Sequence, residues 1–162
     1  MQTNNGTSAN DILSLDNPAF CTYVICCCLL ILKMMGLVLL TIFHRQTNKQ
    51  VGISEEDARF GMEVALHPNV ERTRRAFLND LENIPAFLFL SFAYLWTRPI
   101  STLVHVVYYA FLVARALHSF VYAVYVVPQP ARAICFAIGF IINGYLAAHT
   151  AIYVFIVGYL KK

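Results

Sequence analysis

The sequence predicts an all-α integral membrane protein, a four-helix bundle, and three observations carry that prediction. First, 59% of the 162 residues are hydrophobic, 13% are charged, and mean hydropathy is +0.60. A soluble domain of this size could not hide so much apolar surface. Second, the apolar residues fall into four long runs, separated by one long polar loop and two short proline-containing turns. Third, the charges that intrude on those runs share helix faces. One domain is expected over 1–162. The net charge of +3 is small and its cations are scattered, so no nucleic-acid partner is expected. No histidine and cysteine stand at metal-binding spacing, and no metal is expected.

Taken in order, the opening "MQTNNGTSANDILSLDNP" has no basic n-region and does not read as a cleaved signal peptide. The first span, about 19–43, is broken only by Lys33. Its 25 residues make roughly 38 Å of helix, enough to cross with tilt. A loop over about 45–69 follows. The second span, about 70–96, is charged early and apolar late. "TRP" at Thr97–Pro99 makes a tight connection, and Pro99 suits a helix start. The third span, about 100–126, holds His105, Arg115 and His118; "PQPAR" then breaks the chain before the fourth, about 133–160. The cysteines Cys21, Cys26, Cys27, Cys28 and Cys135 all lie in apolar runs. They read as small membrane-facing hydrophobes, with acylation or redox sensing at Cys26–Cys28 as the alternative.

Four spans place both termini and the Thr97–Pro99 turn on one side. The other side receives Arg45, Lys49, Arg59, Arg72, Arg74, Arg75 and Arg132. The positive-inside rule puts that side in the cytosol and both termini in the lumen, although Lys161 and Lys162 pull the other way. "NGT" at Asn5 would then be a lumenal sequon.

The informative stretch is "VERTRRAFLNDLENI", which opens the second span. A charge at mid-membrane costs about 2.5–3.5 kcal/mol against a gain of about 0.3–0.6 for each large apolar residue. These charges must therefore protrude into water or face the bundle interior. Arg72, Arg75, Asn79 and Glu82 recur at spacings of three, four and three, one face of a helix. The third span has a matching stripe of Arg115, His118 and Tyr122. Topology gathers both stripes with Arg45 and Arg132 at one membrane depth. Such a cluster needs acidic partners or an anionic ligand. An inter-helix ion-pair network through Arg75–Glu82 or Arg115–Asp80 is one reading; a ligand site is the other.

"ILKMMGLVLLTIFHRQTNKQV", "EEDARFG", "VERTRRAFLNDLENI" and "ARALHSFVYAVYVVPQPARAICF" resemble the microsomal glutathione transferases of the MAPEG superfamily, over roughly 30–136. The resemblance implies a homotrimer of four-helix subunits in the endoplasmic reticulum membrane, and also in the mitochondrial outer membrane. Glutathione would be the cosubstrate, held between subunits near the cytosolic face. Its binding set would be Arg45, Arg75, Asn79, Glu82, His118, Tyr122 and Arg132, with Arg132 the catalytic residue beside the thiol. Arginines and one glutamate suit a ligand with two carboxylates and an ammonium. Asn79 could donate to and accept from its peptide groups. The reaction implied is thiolate attack on lipophilic electrophiles, with reduction of lipid hydroperoxides. A prostaglandin E synthase-like isomerase and a non-catalytic lipid-presenting scaffold are the alternatives within the superfamily. A small channel or transporter lies outside it.

Several positions depart from the family pattern. Phe77 replaces a common histidine, and Ala58 replaces the cysteine after the acidic pair, so activation through that thiol should be absent. Pro85-Ala86 moves the proline one residue earlier, which would shift a kink. Ala133 replaces the serine that follows the catalytic arginine in prostaglandin E synthase, while Asp57 matches an acidic position of both branches.

Overall fold

A computed structural model describes residues 9–48, 51–52, 56, 59, 63–64 and 67–160. Asn5, Lys49, Asp57, Ala58, Lys161 and Lys162 lie outside the described residues. The order of elements is a short helix α1 (Ala9–Ile12), then α2 (Pro18–Thr47), β1 (Val51–Gly52), β2 (Glu63–Val64), α3 (Pro68–Leu95), α4 (Ser101–Ser119) and α5 (Ala131–Phe155). The two-residue strands pair in parallel and clip the loop between α2 and α3. Wide π turns extend α4 over Phe120–Val124 and α5 over Ile156–Leu160.

Local chemistry sets the helix ends. Asn17 accepts from Ala19 N at 3.0 Å, and Pro18 occupies the first turn, where its missing N–H removes nothing. Pro68 starts α3 in the same way, with Glu71 in the first turn favoured by the helix dipole. At the far end of α3, Thr97 Oγ1 donates to Tyr94 O at 2.8 Å, and Arg98 takes a left-handed φ of 53° that turns the chain. The next helix begins at Ser101, two residues beyond Pro99.

The four long helices form a ring in which α2 and α5 each pack against both α3 and α4. Across its diagonal, α3 and α4 meet through side chains. Phe87 stacks on Phe111 at 3.9 Å, and Tyr108 donates to Ser91 O at 2.6 Å. Cys26, Leu30, Ile84, Tyr94 and Leu146 complete a fully buried core. Cys26 is therefore a core residue and does not face lipid, whereas Cys28 is exposed.

Among the described residues three helices are long and apolar enough to cross a membrane: α2, α4 with its π turn, and α5 with its own. They carry many exposed large apolar side chains, such as Leu32, Leu39, Val106, Phe140, Ile141 and Phe155. A surface of this kind marks a membrane protein. Helix α3 has the length but is charged along its first half, and its apolar half begins near Ile84.

Candidate functional site at the arginine-rich end

The end of α2, the start of α3, the π turn after α4 and the start of α5 converge at one end of the bundle. Among the described residues two cavities open there on different sides of α3. The first, about 310 Å³, is lined by Pro68, Glu71, Arg72, Arg75, Tyr122 and Arg132. The second, about 240 Å³, lies between α2 and α3 and is lined by Val38, Thr41, Ile42, Arg45, Arg74 and Phe77. Adjacent helical residues point about 100° apart, so Arg74 and Arg75 serve different cavities.

In the larger cavity His118, Tyr122 and Arg132 form a column. The His118 and Tyr122 rings stack at 5.8 Å, and the Arg132 guanidinium lies 4.8 Å above the Tyr122 ring. The π turn that carries Tyr122 is closed by Tyr125 N donating to Phe120 O at 2.8 Å. Such insertions recur at functional sites because they re-aim one side chain without ending the helix. Arg132 sits in the first turn of α5, where the leading N–H groups have no intrahelical acceptor and Pro130 caps with no side chain. Among the described residues no carboxylate pairs with Arg132, and its Nε–H is buried without an acceptor. The column is thus a positive wall with donor capacity in hand.

The acids are distributed differently from one of the pairings expected from spacing. Arg75 pairs with Glu71, Nε to Oε1 at 2.8 Å, and not with Glu82. Glu71 lies one helical turn from Arg75 and Glu82 lies two, and only the Glu71 carboxylate folds onto the guanidinium. Glu71 also lies 3.7 Å from Arg74. Glu82 is exposed, as is Arg75 for 64% of its side chain. Arg72 donates to Asn69 at 3.3 Å. The Arg115–Asp80 pair is present as expected, and it is fully buried.

Asp80 is the centre of a cluster that sequence reasoning did not foresee in full. Its two oxygens receive Arg115 Nε at 3.0 Å, Arg115 Nη2, Lys33 Nζ and Ser119 Oγ at 2.9 Å. Arg115 Nη2 also donates to Asn79 Oδ1 at 2.8 Å. Three helices are joined at one depth by two cations and one acid. Arg115 is therefore a structural cation and not a free one for a ligand. A signal was there: Lys33 is the sole charge in the first apolar run, and it needs a partner at its own depth. Lys33 lies twelve residues before Arg45, roughly 18 Å along α2, and Asp80 lies five residues beyond Arg75, roughly 8 Å along α3.

Of the predicted set, one chain brings Arg75, Tyr122 and Arg132 to a common cavity, with His118 beneath Tyr122. Asn79, half-buried, follows one turn after Arg75. Arg45 lines the other cavity, and Glu82 lies on an exposed face. Glu71 and Arg72 line the larger cavity and were not in the set. Phe77, where a histidine is common, packs with Leu40 and Tyr122 against Leu37, Ala76 and Ala123.

The family model for the MAPEG family matches residues 23–152. The chain is 33% identical to microsomal glutathione S-transferase 1 of Rattus norvegicus over 132 residues, 78% of this chain and 84% of the relative. The human form of that protein is 32% identical over the same length. Human prostaglandin E synthase is 33% identical over 112 residues, 68% of this chain and 74% of the relative.

Proposed function

The chain belongs to the MAPEG family, and from that premise we propose that it is a membrane-bound glutathione transferase that also reduces lipid hydroperoxides. The observation that carries the reading is Arg132. It is a cation with no acid partner among the described residues, and it stands over Tyr122 at the head of α5 beside a cavity lined by Arg72 and Arg75. Such a wall suits an anion that arrives with the ligand.

Glutathione supplies both carboxylates and nucleophile. A free thiol of pKa about 8.5 is roughly 3% thiolate at neutral pH. A nearby guanidinium that lowers the value by about two units contributes roughly 2.7 kcal/mol and ionises most of it. Arg132 and the leading N–H groups of α5 would serve that task. In the transferase reaction the thiol proton goes to water, the sulfur forms a bond to the electrophilic carbon, and the leaving group departs with its electron pair. In the peroxidase reaction the thiolate attacks the hydroperoxide oxygen. A second glutathione then yields disulfide, alcohol and water.

Arg75, Asn79, His118 and Tyr122 would bind the peptide and its carboxylates. Arg45 and Glu82 would act from a neighbouring copy in a homotrimer. Support for that placement is that Arg45 and Arg132 line separate cavities within one chain. The cavity of about 310 Å³ is at the lower edge of the roughly 300–1,000 Å³ of small-molecule sites. The membrane is that of the endoplasmic reticulum, with the arginine-rich end cytosolic and both termini lumenal. Electrophiles would enter laterally from the bilayer.

The second reading is isomerisation of a prostaglandin endoperoxide, favoured by the similar identity to prostaglandin E synthase. Ala133 in place of serine after the catalytic arginine weighs against it. The test adds glutathione to the detergent-solubilised protein and follows thiolate absorbance and conjugation of a chloronitrobenzene. The transferase reading predicts both signals. Arg132→Ala should abolish the thiolate signal more than it weakens binding. Absence of both signals from the unmodified protein refutes the reading, and endoperoxide isomerisation without conjugation replaces it with the second.

A further inference from the structure

We propose that Arg115 is a positioning residue for the glutathione site, held by Asp80 so that it turns the amide of Asn79 into a donor. The inference rests on the glutathione reading and deepens it at one residue.

Arg115 carries a guanidinium. Its N–H groups only donate. The Asn79 atom 2.8 Å from Arg115 Nη2 is therefore the carbonyl oxygen, and the Nδ2 group must lie on the other side of the amide. Among the described residues nothing accepts from that Nδ2. A half-buried asparagine on α3, one turn below Arg75, is thereby set with its donors unused and its acceptor engaged. The ligand groups that fit are acceptors: a carboxylate or a peptide carbonyl. With one Oδ1 lone pair taken by Arg115, the two free N–H groups of Nδ2 are the larger part of what Asn79 offers a ligand.

Arg115 can hold this position because it cannot move. It is 0% exposed, its Nε and Nη2 both donate to Asp80 Oδ1, and its Cδ would lie 3.4 Å from a Cβ added at Gly139. Asp80 is fixed in turn by Lys33 from α2 and Ser119 from α4. Of these groups only Arg115 touches a residue of the proposed site. Lysine in its place keeps the charge beside Asp80 but lacks the planar fork that reaches two acceptors at once.

The test is a double-mutant cycle on glutathione binding, measured by calorimetry on the full chain in detergent, with melting temperature recorded for each variant. Arg115→Lys should weaken binding roughly tenfold, the effect of losing about one oriented hydrogen bond. In an Asn79→Ala background the same substitution should change binding less than about twofold, because the residue through which it acts is gone. Equal weakening in both backgrounds, or none in the first, overturns the proposal. Should Arg115→Lys fail to fold, Asn79→Asp decides. It still accepts from Arg115 but has no amide donor, so it should lose glutathione at least as much as Asn79→Ala with an unchanged melting temperature. Wild-type affinity in Asn79→Asp refutes the donor assignment. No glutathione binding by the unmodified chain overturns the functional reading, and the inference with it.

Discussion

Replacing Asp80 with alanine should destabilise the bundle more than any other single change at the arginine-rich end. The side chain is 0% exposed and receives four donors from Lys33, Arg115 and Ser119. Without it, Arg115 keeps its charge in a fully buried setting with only Asn79 to accept. Lys33, with 16% of its side chain exposed, can extend away from the core, so its share of the penalty is smaller. Removing one member of a buried ion pair costs about 3–5 kcal/mol. For a chain of this size each kcal/mol moves the melting temperature by roughly 2–4 °C, so a fall of about 6–20 °C is expected. Thermal unfolding in detergent, followed by circular dichroism, reads it. Rescue is also expected. The triple variant Lys33→Met/Asp80→Leu/Arg115→Met removes every charge together and should recover most of the loss, because apolar residues of similar volume can replace a buried network. A fall below about 2 °C in Asp80→Ala, the shift of roughly 1 kcal/mol or less, refutes the assignment of uncompensated charge. So does a triple variant no more stable than the single one.

Arg75→Ala should leave the melting temperature within about 2 °C, since an exposed i,i+4 pair with Glu71 adds little to stability. The same variant should weaken glutathione binding about tenfold or more in calorimetry, the loss of a charged hydrogen bond to a carboxylate. Tyr122→Leu removes the ring beneath Arg132 and should lower conjugation turnover about threefold to tenfold with a smaller effect on binding, the size of a cation–π contact of roughly 0.5–1.5 kcal/mol; equal losses in both would mean that Tyr122 serves binding alone. Alkylation with N-ethylmaleimide should not raise turnover, because Ala58 stands at the family's reactive position; stimulation would point to one of the five remaining thiols.

Much of the helical architecture was legible in the chain. Proline and asparagine at 17–18 and proline at 68 mark helix starts through missing or capped N–H groups, and both elements begin there. The stripe of His118 and Tyr122 could be read from spacing, and the rings do stack. The π turn at Phe120–Val124 could not be read, because a single widened turn leaves no mark on hydrophobic periodicity. Nor could the separation of Arg45 from Arg132, since membrane depth says nothing of which side of α3 a residue occupies.

By itself the sequence determined that this chain makes long apolar helices, that Arg45, Arg72, Arg74, Arg75 and Arg132 fall on one side of them, and that Arg75, Asn79 and Glu82 share a face of α3. Those properties depend on residue type and on neighbours within about one turn, which order along the chain specifies. Only the tertiary structure decided which charges are neutralised. Arg115 stands in the same stripe as His118 and Tyr122, yet its partner is Asp80 on another helix, shared with Lys33 from a third. Arg132 lines the same cavity as Glu71 but pairs with no acid among the described residues. Local charge in a bundle is a sum over all the helices that meet at one depth, and that sum exists only once they have packed.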